Sequence, residues 1–357
     1  GAFLGSLLCG YLGEKIGWHY GFGLAGIFMF FGMLQFYFGQ KIFGVIGNKP
    51  LSKEEQIQKD AEKTKDEEEL PANVVKDRLF VVAVLMIASI FFFLAFEQAG
   101  GSLSIFAKDF TQRVLEGNAA TSFKWIDAIL TIFPIVVVTI VLVSLAKKIF
   151  KQYPLTILFT LISFASITVL GLWKVQREFT SLETEVTVSW FQILNAFFIV
   201  MFASAFSKIW EKYWNPSGPI KFAMGLFLVG FSFIVVAYGA MDIPQGAAAG
   251  AVRVSMLWLV LAYFFQTMGE LCLSPVGLSY VSKLSPKKLI GLIFGFWFLA
   301  SAISNKLAGM MGGMIDQISA EYSLSTFFLI IAIMPIAVAL ILVLMNPMLK
   351  KKMHGIN

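Results

Sequence analysis

The chain has 357 residues, of which 58% are hydrophobic and 14% charged, and it contains 37 Phe. An average soluble domain carries roughly a quarter charged residues, so a soluble fold cannot hide this much apolar surface and lipid is the expected solvent. The formal charge of +6 then reads as Lys and Arg gathered on one side of a bilayer, not as a nucleic-acid surface.

About ten apolar segments follow one another along the chain, most of them long enough for a hydrocarbon core of roughly 30 Å. The first, 1–12, is too short to span. It opens apolar with no Met, charge or cap, so the chain is expected to start inside a helix and to be a fragment; it lacks the basic start of a signal peptide. After 18–43 comes a stretch, 46–78, packed with Lys, Glu and Asp. Its part 52–69 favours a solvated helix with Ser52 as N-cap, and the whole reads as a tether between two helix bundles. The further predicted segments are 79–107, 126–145, 153–173, 188–206, 220–239, 254–281, 289–313 and 325–344, followed by a tail, 350–357.

Charge alternates between successive loops. Lys147, Lys148, Lys208, Lys212, Lys283, Lys287 and Lys350 to Lys352 fall in every second loop, whereas Asp109, Glu116, Glu178, Asp242, Asp316 and Glu321 fall in the others. The positive-inside rule makes the Lys-rich loops and the C-terminus cytoplasmic. Cys9 and Cys272 lie in apolar segments and read as small hydrophobes. His19 and His354 are far apart, without ligand-like neighbours, so neither a metal centre nor any other cofactor is expected.

Polar residues inside spans are the candidates for function. A charge near a helix centre costs about 2.5–3.5 kcal/mol on insertion scales. Glu97 lies in FFFLAFEQAGGS, beside the helix-weakening Gly100 and Gly101. Glu270 lies in FFQTMGELCLSP, before Pro275, which removes a backbone donor and bends a helix. Each acid is either a site residue or one half of a structural ion pair. Broken helices at membrane depth are tolerated where they line a cavity. Lys306, in SAISNKLAGMMG, either serves a site or reaches the interface on its long stem. Asn195, in SWFQILNAFFIV, either bonds to a neighbouring helix or holds a substrate amide. Trp297 either packs or lines a pocket.

Several strings together resemble the proton-dependent oligopeptide transporter family of the major facilitator superfamily. GAFLGSLLCGYLGEKIGWHYGFGLAGI is similar to its fifth-to-sixth helix region and FEQAGGSLSIFAKD to its seventh helix. WFQILNAFFIVMFA and NPSGPIKFAMGL are similar to the eighth and ninth, GELCLSPVGLSYVSKLSP to the tenth and GFWFLASAISNKLAG to the eleventh. The resemblance implies an all-α membrane protein with a major facilitator helix bundle. Residues 1–45 are then the last helices of an N-terminal bundle, 46–78 a cytoplasmic linker, and 79–349 a C-terminal bundle carrying an extra helix pair at 126–173.

It also implies roles. Glu270 matches the acid that receives a peptide's amino group, Asn195 an amide that contacts its backbone, and Trp297 an aromatic of the pocket, with Ser274 beside them. Glu97 matches the acid of proton coupling. Asp109 matches an outer gate acid; Lys306 and Pro275 join it as gate candidates, with Lys306 either pairing with Asp109 or facing the other bundle. The implied function is proton-coupled import of di- and tripeptides by alternating access in a bacterial inner membrane, with protons as the coupling ion and no covalent chemistry. The partners are then small peptides, protons, lipid and the missing N-terminal bundle. A same-fold transporter of nitrate or an organic anion is the alternative, ahead of a membrane receptor or membrane-embedded enzyme. The family's first-helix acids and Arg, and its fourth-helix Lys, are not in this sequence.

Overall fold

The computed structural model describes residues 2–44 and 71–356. They are almost wholly helical, because a backbone in lipid must satisfy its own hydrogen bonds within each segment. In chain order the helices are α1 (Ala2–Lys15), α2 (Trp18–Phe43), α3 (Ala72–Phe96), α4 (Ser102–Asp109), α5 (Gly117–Ile149) and α6 (Pro154–Thr180). They continue with α7 (Val188–Lys208), α8 (Gly218–Gly239), α9 (Leu257–Leu284), α10 (Ile290–Gly313), α11 (Ile315–Glu321) and α12 (Leu324–Lys352). Of the charged tether expected at 46–78, residues 46–70 lie outside the described residues, whereas 72–78 form the first turns of α3.

The chain divides into two compact units. The first holds α1, α2, α5 and α6. Strands β2 (Val114–Leu115) and β3 (Thr184–Glu185) of this unit pair antiparallel at the foot of the α5–α6 pair. Although that pair is inserted in the sequence between α4 and α7, its packing partners in this unit are α1 and α2. Its interior is charged. Lys174 Nζ donates to Asp127 Oδ2 at 2.5 Å and lies 5.2 Å from the centre of the Tyr11 ring. Tyr11 donates its hydroxyl to Glu178 Oε1 at 2.7 Å. All four side chains are buried. Asp127 with Thr131, and Lys174 with Glu178, are spaced four apart, which puts each pair on one helix face.

The second unit is built around α8, which packs on α9 and α12 over a core that includes Phe92, Phe106, Phe222, Phe233, Phe327 and Phe328. The α8–α9 approach needs glycine. A Cβ on Gly225 would lie 2.8 Å from the Gly269 carbonyl oxygen, and one on Gly269 equally close to that of Gly225. The start of α8 meets the end of α12 through Ser217 and Asn346, at 2.6 Å. Asp77 on the first turns of α3 pairs with Lys352, and its Oδ2 lies 3.0 Å from His354 Nε2. At the other end the Asp109 carbonyl accepts from Gly250 N–H at 2.8 Å, and Gln245 reaches the Glu321 carbonyl at 2.7 Å. There β1 (Thr111–Gln112) pairs in parallel with β4 (Val254–Ser255). Asp109, Asp242, Asp316 and Glu321 therefore cluster at one end of this unit, with Lys283 and Lys350 to Lys352 at the other. This is the charge alternation read from the loops of this unit, whereas Glu178, read as a loop acid, lies buried on α6 in the first unit.

Candidate functional site

The site lies in the second unit and starts from two disturbed helices. Regular α-helix stops at Phe96; Glu97–Ala99 forms a 3₁₀ turn, and Gly101 takes φ −107° and ψ −105° before α4 resumes. Glu97 therefore sits at the break. Its side chain is exposed and has no hydrogen-bond or ion-pair partner among the described residues. Gln98, next to it, is fully buried: its Nε2 donates to the Ala308 carbonyl of α10 at 2.9 Å, and its Oε1 accepts from Ser102 at 2.8 Å. This clamp satisfies the buried amide of Gln98 and ties the interrupted helix to α10. In α9 the helix continues through Pro275, which deprives the Leu271 carbonyl of its usual N–H donor.

Glu270 lies on α9, half-buried, with no ion pair among the described residues. Its hydrogen-bond donor comes from another helix. Asn195 Nδ2, on α7, donates to Glu270 Oε2 at 2.8 Å and to Thr267 Oγ1 at 3.2 Å. The Thr267 hydroxyl hydrogen is already committed to the Tyr263 carbonyl at 2.7 Å. Thr267 Oγ1 and the carboxylate can then only accept, which fixes the Asn195 amide with its NH₂ toward them. Its Oδ1 is left without a partner among the described residues. Phe198 and Phe202 pack on Phe264, with ring centres 5.4 and 5.7 Å apart, and hold α7 against α9 close to this contact. Tyr263 on α9 donates its hydroxyl to the Ala99 carbonyl at the break, at 3.3 Å, which ties the two disturbed helices together.

The sequence-derived residues fall into three groups. Asn195 and Glu270 are in direct contact, Ser274 lies one turn along α9 on the same face, and Glu97 stands at the break to which Tyr263 of α9 bonds. Trp297 is buried on α10, and its ring lies 2.5 Å from where a Cβ of Gly277 would be, so it packs on α9 about two turns from Glu270. Asp109, Lys306 and Pro275 are not brought together: neither Asp109 nor Lys306 makes an ion pair among the described residues. Sequence reasoning missed Gln98 and the Tyr11–Asp127–Lys174–Glu178 cluster. The signal for Gln98 was an amide one residue past an intramembrane acid. That for the cluster was the four-residue spacing of polar groups on α5 and α6. Among the described residues no group of three or more His, Cys, Asp or Glu is placed to hold a metal.

Among the described residues, nine helices are long and apolar enough to cross a membrane, and α1 is the short tenth segment. The molecule is a multi-pass membrane protein. The POT family (PTR2) profile matches residues 1–63 and 153–330, and the chain belongs to that family. It is 31% identical over 375 residues to the uncharacterized transporter YclF of Bacillus subtilis, covering 100% of this chain and 66% of that protein. It is 28% identical over 368 residues to the peptide transporter YePEPT of Yersinia enterocolitica, covering 99% of this chain and 66% of that protein. The chain thus spans just under two-thirds of the length of these relatives. Solved structures share the fold. A peptide transporter POT in complex with sulfate superposes with a TM-score of 0.66 at 24% identity, over 99% of this chain and 66% of that one. A POT family transporter in complex with 5-aminolevulinic acid gives a TM-score of 0.65 at 20% identity, over 96% of this chain and 66% of that one.

Proposed function

We propose that this chain belongs to a proton-coupled symporter that imports di- and tripeptides across a bacterial inner membrane, with its C-terminus in the cytoplasm. In this reading residues 1–45 are the last helices of the N-terminal bundle. The second unit supplies most of the C-terminal bundle, around a central peptide pocket completed by a further N-terminal part. The observation that carries the reading is Glu270, a half-buried carboxylate with a neutral amide donor and no cation among the described residues. Such a group calls for a cation. A peptide ammonium supplies the charge and three donors. One donor can go to Glu270 and another to the free Asn195 Oδ1, while Ser274 and Trp297 serve as further lining. The relatives include peptide transporters from Yersinia enterocolitica and Lactococcus lactis, which supports the same substrate class.

Glu97 is the proton carrier in this reading. Its position at a helix break, unpaired among the described residues and linked to α9 through Tyr263, lets protonation alter both the break and the helix that carries the substrate acid. A proton moving down about 100 mV releases about 2.3 kcal/mol, enough to drive accumulation without covalent chemistry. Asp109, Lys306 and Pro275 take the gating roles, the first two through the other bundle. An anion such as nitrate fits the unpaired Glu270 less well than an ammonium. The test is proton-driven uptake of a labelled dipeptide by the intact protein in proteoliposomes. Accumulation that collapses with the gradient is expected, and dipeptide exclusion with nitrate uptake would replace the reading by the anion one.

A further inference from the structure

At the acidic end of the second unit, where α8 ends and α9 begins, lies a cavity of about 310 Å³ lined in part by Tyr238, Asp242, Arg253, Ser255 and Trp258. None of these residues belongs to the site described above. Asp242 and Arg253 are exposed, and neither makes a hydrogen bond or ion pair through its side chain among the described residues. The cavity thus offers one anion and one guanidinium that are not paired with each other. Two aromatic rings help to line it: those of Tyr238 and Trp258 meet edge to face at 5.4 Å. Tyr and Trp at the end of a membrane helix sit at headgroup depth.

An apolar track leads from this cavity toward the middle of the membrane. Phe227, Phe231, Ile234 and Tyr238 recur at steps of four, three and four residues, which lines one face of α8. Phe227 and Phe231 are 6.1 Å apart and stacked, and Phe231 meets Phe265 of α9 at 4.8 Å. Phe227, Ile234 and Tyr238 are exposed along this face. A polar cavity with both charges at headgroup depth, continuing into an apolar track, matches one kind of molecule: a two-ended amphiphile with a zwitterionic head.

We propose that this cavity is a phospholipid site selective for a headgroup with a phosphodiester and a primary ammonium. Arg253 takes the phosphate, to which its planar fork donates two bonds. Asp242 takes the ammonium, and an acyl chain lies along Phe231 and Phe227. A quaternary ammonium has no N–H to give Asp242, and a glycerol headgroup has no cation, so both bind less well.

The experiment is native mass spectrometry of the purified, detergent-solubilised protein. It is loaded with equimolar phosphatidylethanolamine, phosphatidylcholine and phosphatidylglycerol of identical chains, with soluble glycerophosphoethanolamine in a parallel arm. Retention of phosphatidylethanolamine about tenfold above the other two is expected, the ratio for about 1.4 kcal/mol. Asp242→Asn should erase that preference, and Arg253→Gln should lower retention of all three lipids. Both side chains are exposed, and an unchanged thermal midpoint of the lipid-free variants checks that folding is intact. Equal retention of the three lipids, or a preference untouched by both variants, overturns the proposal. So does soluble glycerophosphoethanolamine binding as tightly as the lipid, which would make the site one for a soluble zwitterion. A dipeptide that displaces the lipid one for one would make it a substrate vestibule instead.

Discussion

Asn195 on α7 donates a 2.8 Å hydrogen bond to Glu270 on α9, across 75 residues of sequence. The bond gives the carboxylate an orientation without giving it a countercharge. Removing the amide should therefore weaken recognition without abolishing it. A hydrogen bond to a charged group is worth about 1.5–3 kcal/mol, so Asn195→Ala should weaken dipeptide binding by roughly 10- to 150-fold. Because the two residues touch, Asn195→Ala and Glu270→Gln should be non-additive. Calorimetry on the single and double variants checks this, and strict additivity would mean that the contact plays no part in binding.

Glu97 is expected to couple the proton. Glu97→Gln keeps the shape at the helix break but cannot exchange a proton. In proteoliposomes this variant should lose gradient-driven accumulation and retain counterflow exchange of labelled for unlabelled peptide. Normal accumulation by the variant would remove Glu97 from the coupling mechanism.

The interior of the α5–α6 pair should be a point of high sensitivity. Lys174→Met leaves Asp127 as a buried, uncompensated charge, a change that costs about 3–5 kcal/mol in comparable pairs. Adding Asp127→Leu should recover much of that loss, because apolar replacement of a whole buried pair is often neutral. Lys15 and Glu185, 3.0 Å apart, have side chains 25% and 41% exposed, so breaking that pair should cost at most about 1 kcal/mol. Thermal unfolding of Lys174→Met, the Lys174→Met/Asp127→Leu double variant and Lys15→Met in detergent tests the ranking. A Lys174→Met midpoint no lower than that of Lys15→Met would contradict it.

Gln98→Leu should also destabilise. It strips the Ala308 carbonyl and the Ser102 hydroxyl of their partner in a buried place, at about 1–3 kcal/mol for each group left unsatisfied. Equal midpoints for wild type and Gln98→Leu would show that the clamp is not structural.

Hydropathy made the spans legible, since a run such as 325–344 has no stable alternative to a membrane helix. Charge made the ends legible, because Lys350 to Lys352 and Asp242 cannot enter lipid unaided. Glu270 stood out because an acid in an apolar run is costly. Contacts across the sequence were not legible: nothing local in SWFQILNAFF says which helix Asn195 will face. The Asp127–Lys174 pair was hidden by the reading itself. The segments read as 126–145 and 153–173 put Asp127 at the very start of one and Lys174 just past the end of the other, whereas α5 and α6 run on to Gly117 and Thr180 and bury those charges against each other. The break at Glu97 was half legible. Gly100 and Gly101 announced a weak helix, but the Gln98 clamp that stabilises it depends on α10, more than two hundred residues away.

The central claim is that Glu270 receives the amino terminus of a peptide. The most direct measurement compares the binding of a free dipeptide and its N-acetylated form to the intact protein and to Glu270→Ala. The account predicts that wild type binds the free form far better. It also predicts that Glu270→Ala loses most of the affinity for the free form, by about 2–5 kcal/mol for a truncated, hydrogen-bonded charge pair, and little of the already weak affinity for the acetylated one. If free and acetylated dipeptides lose affinity equally in the variant, Glu270 does not bind the ammonium, and its bond with Asn195 is structural.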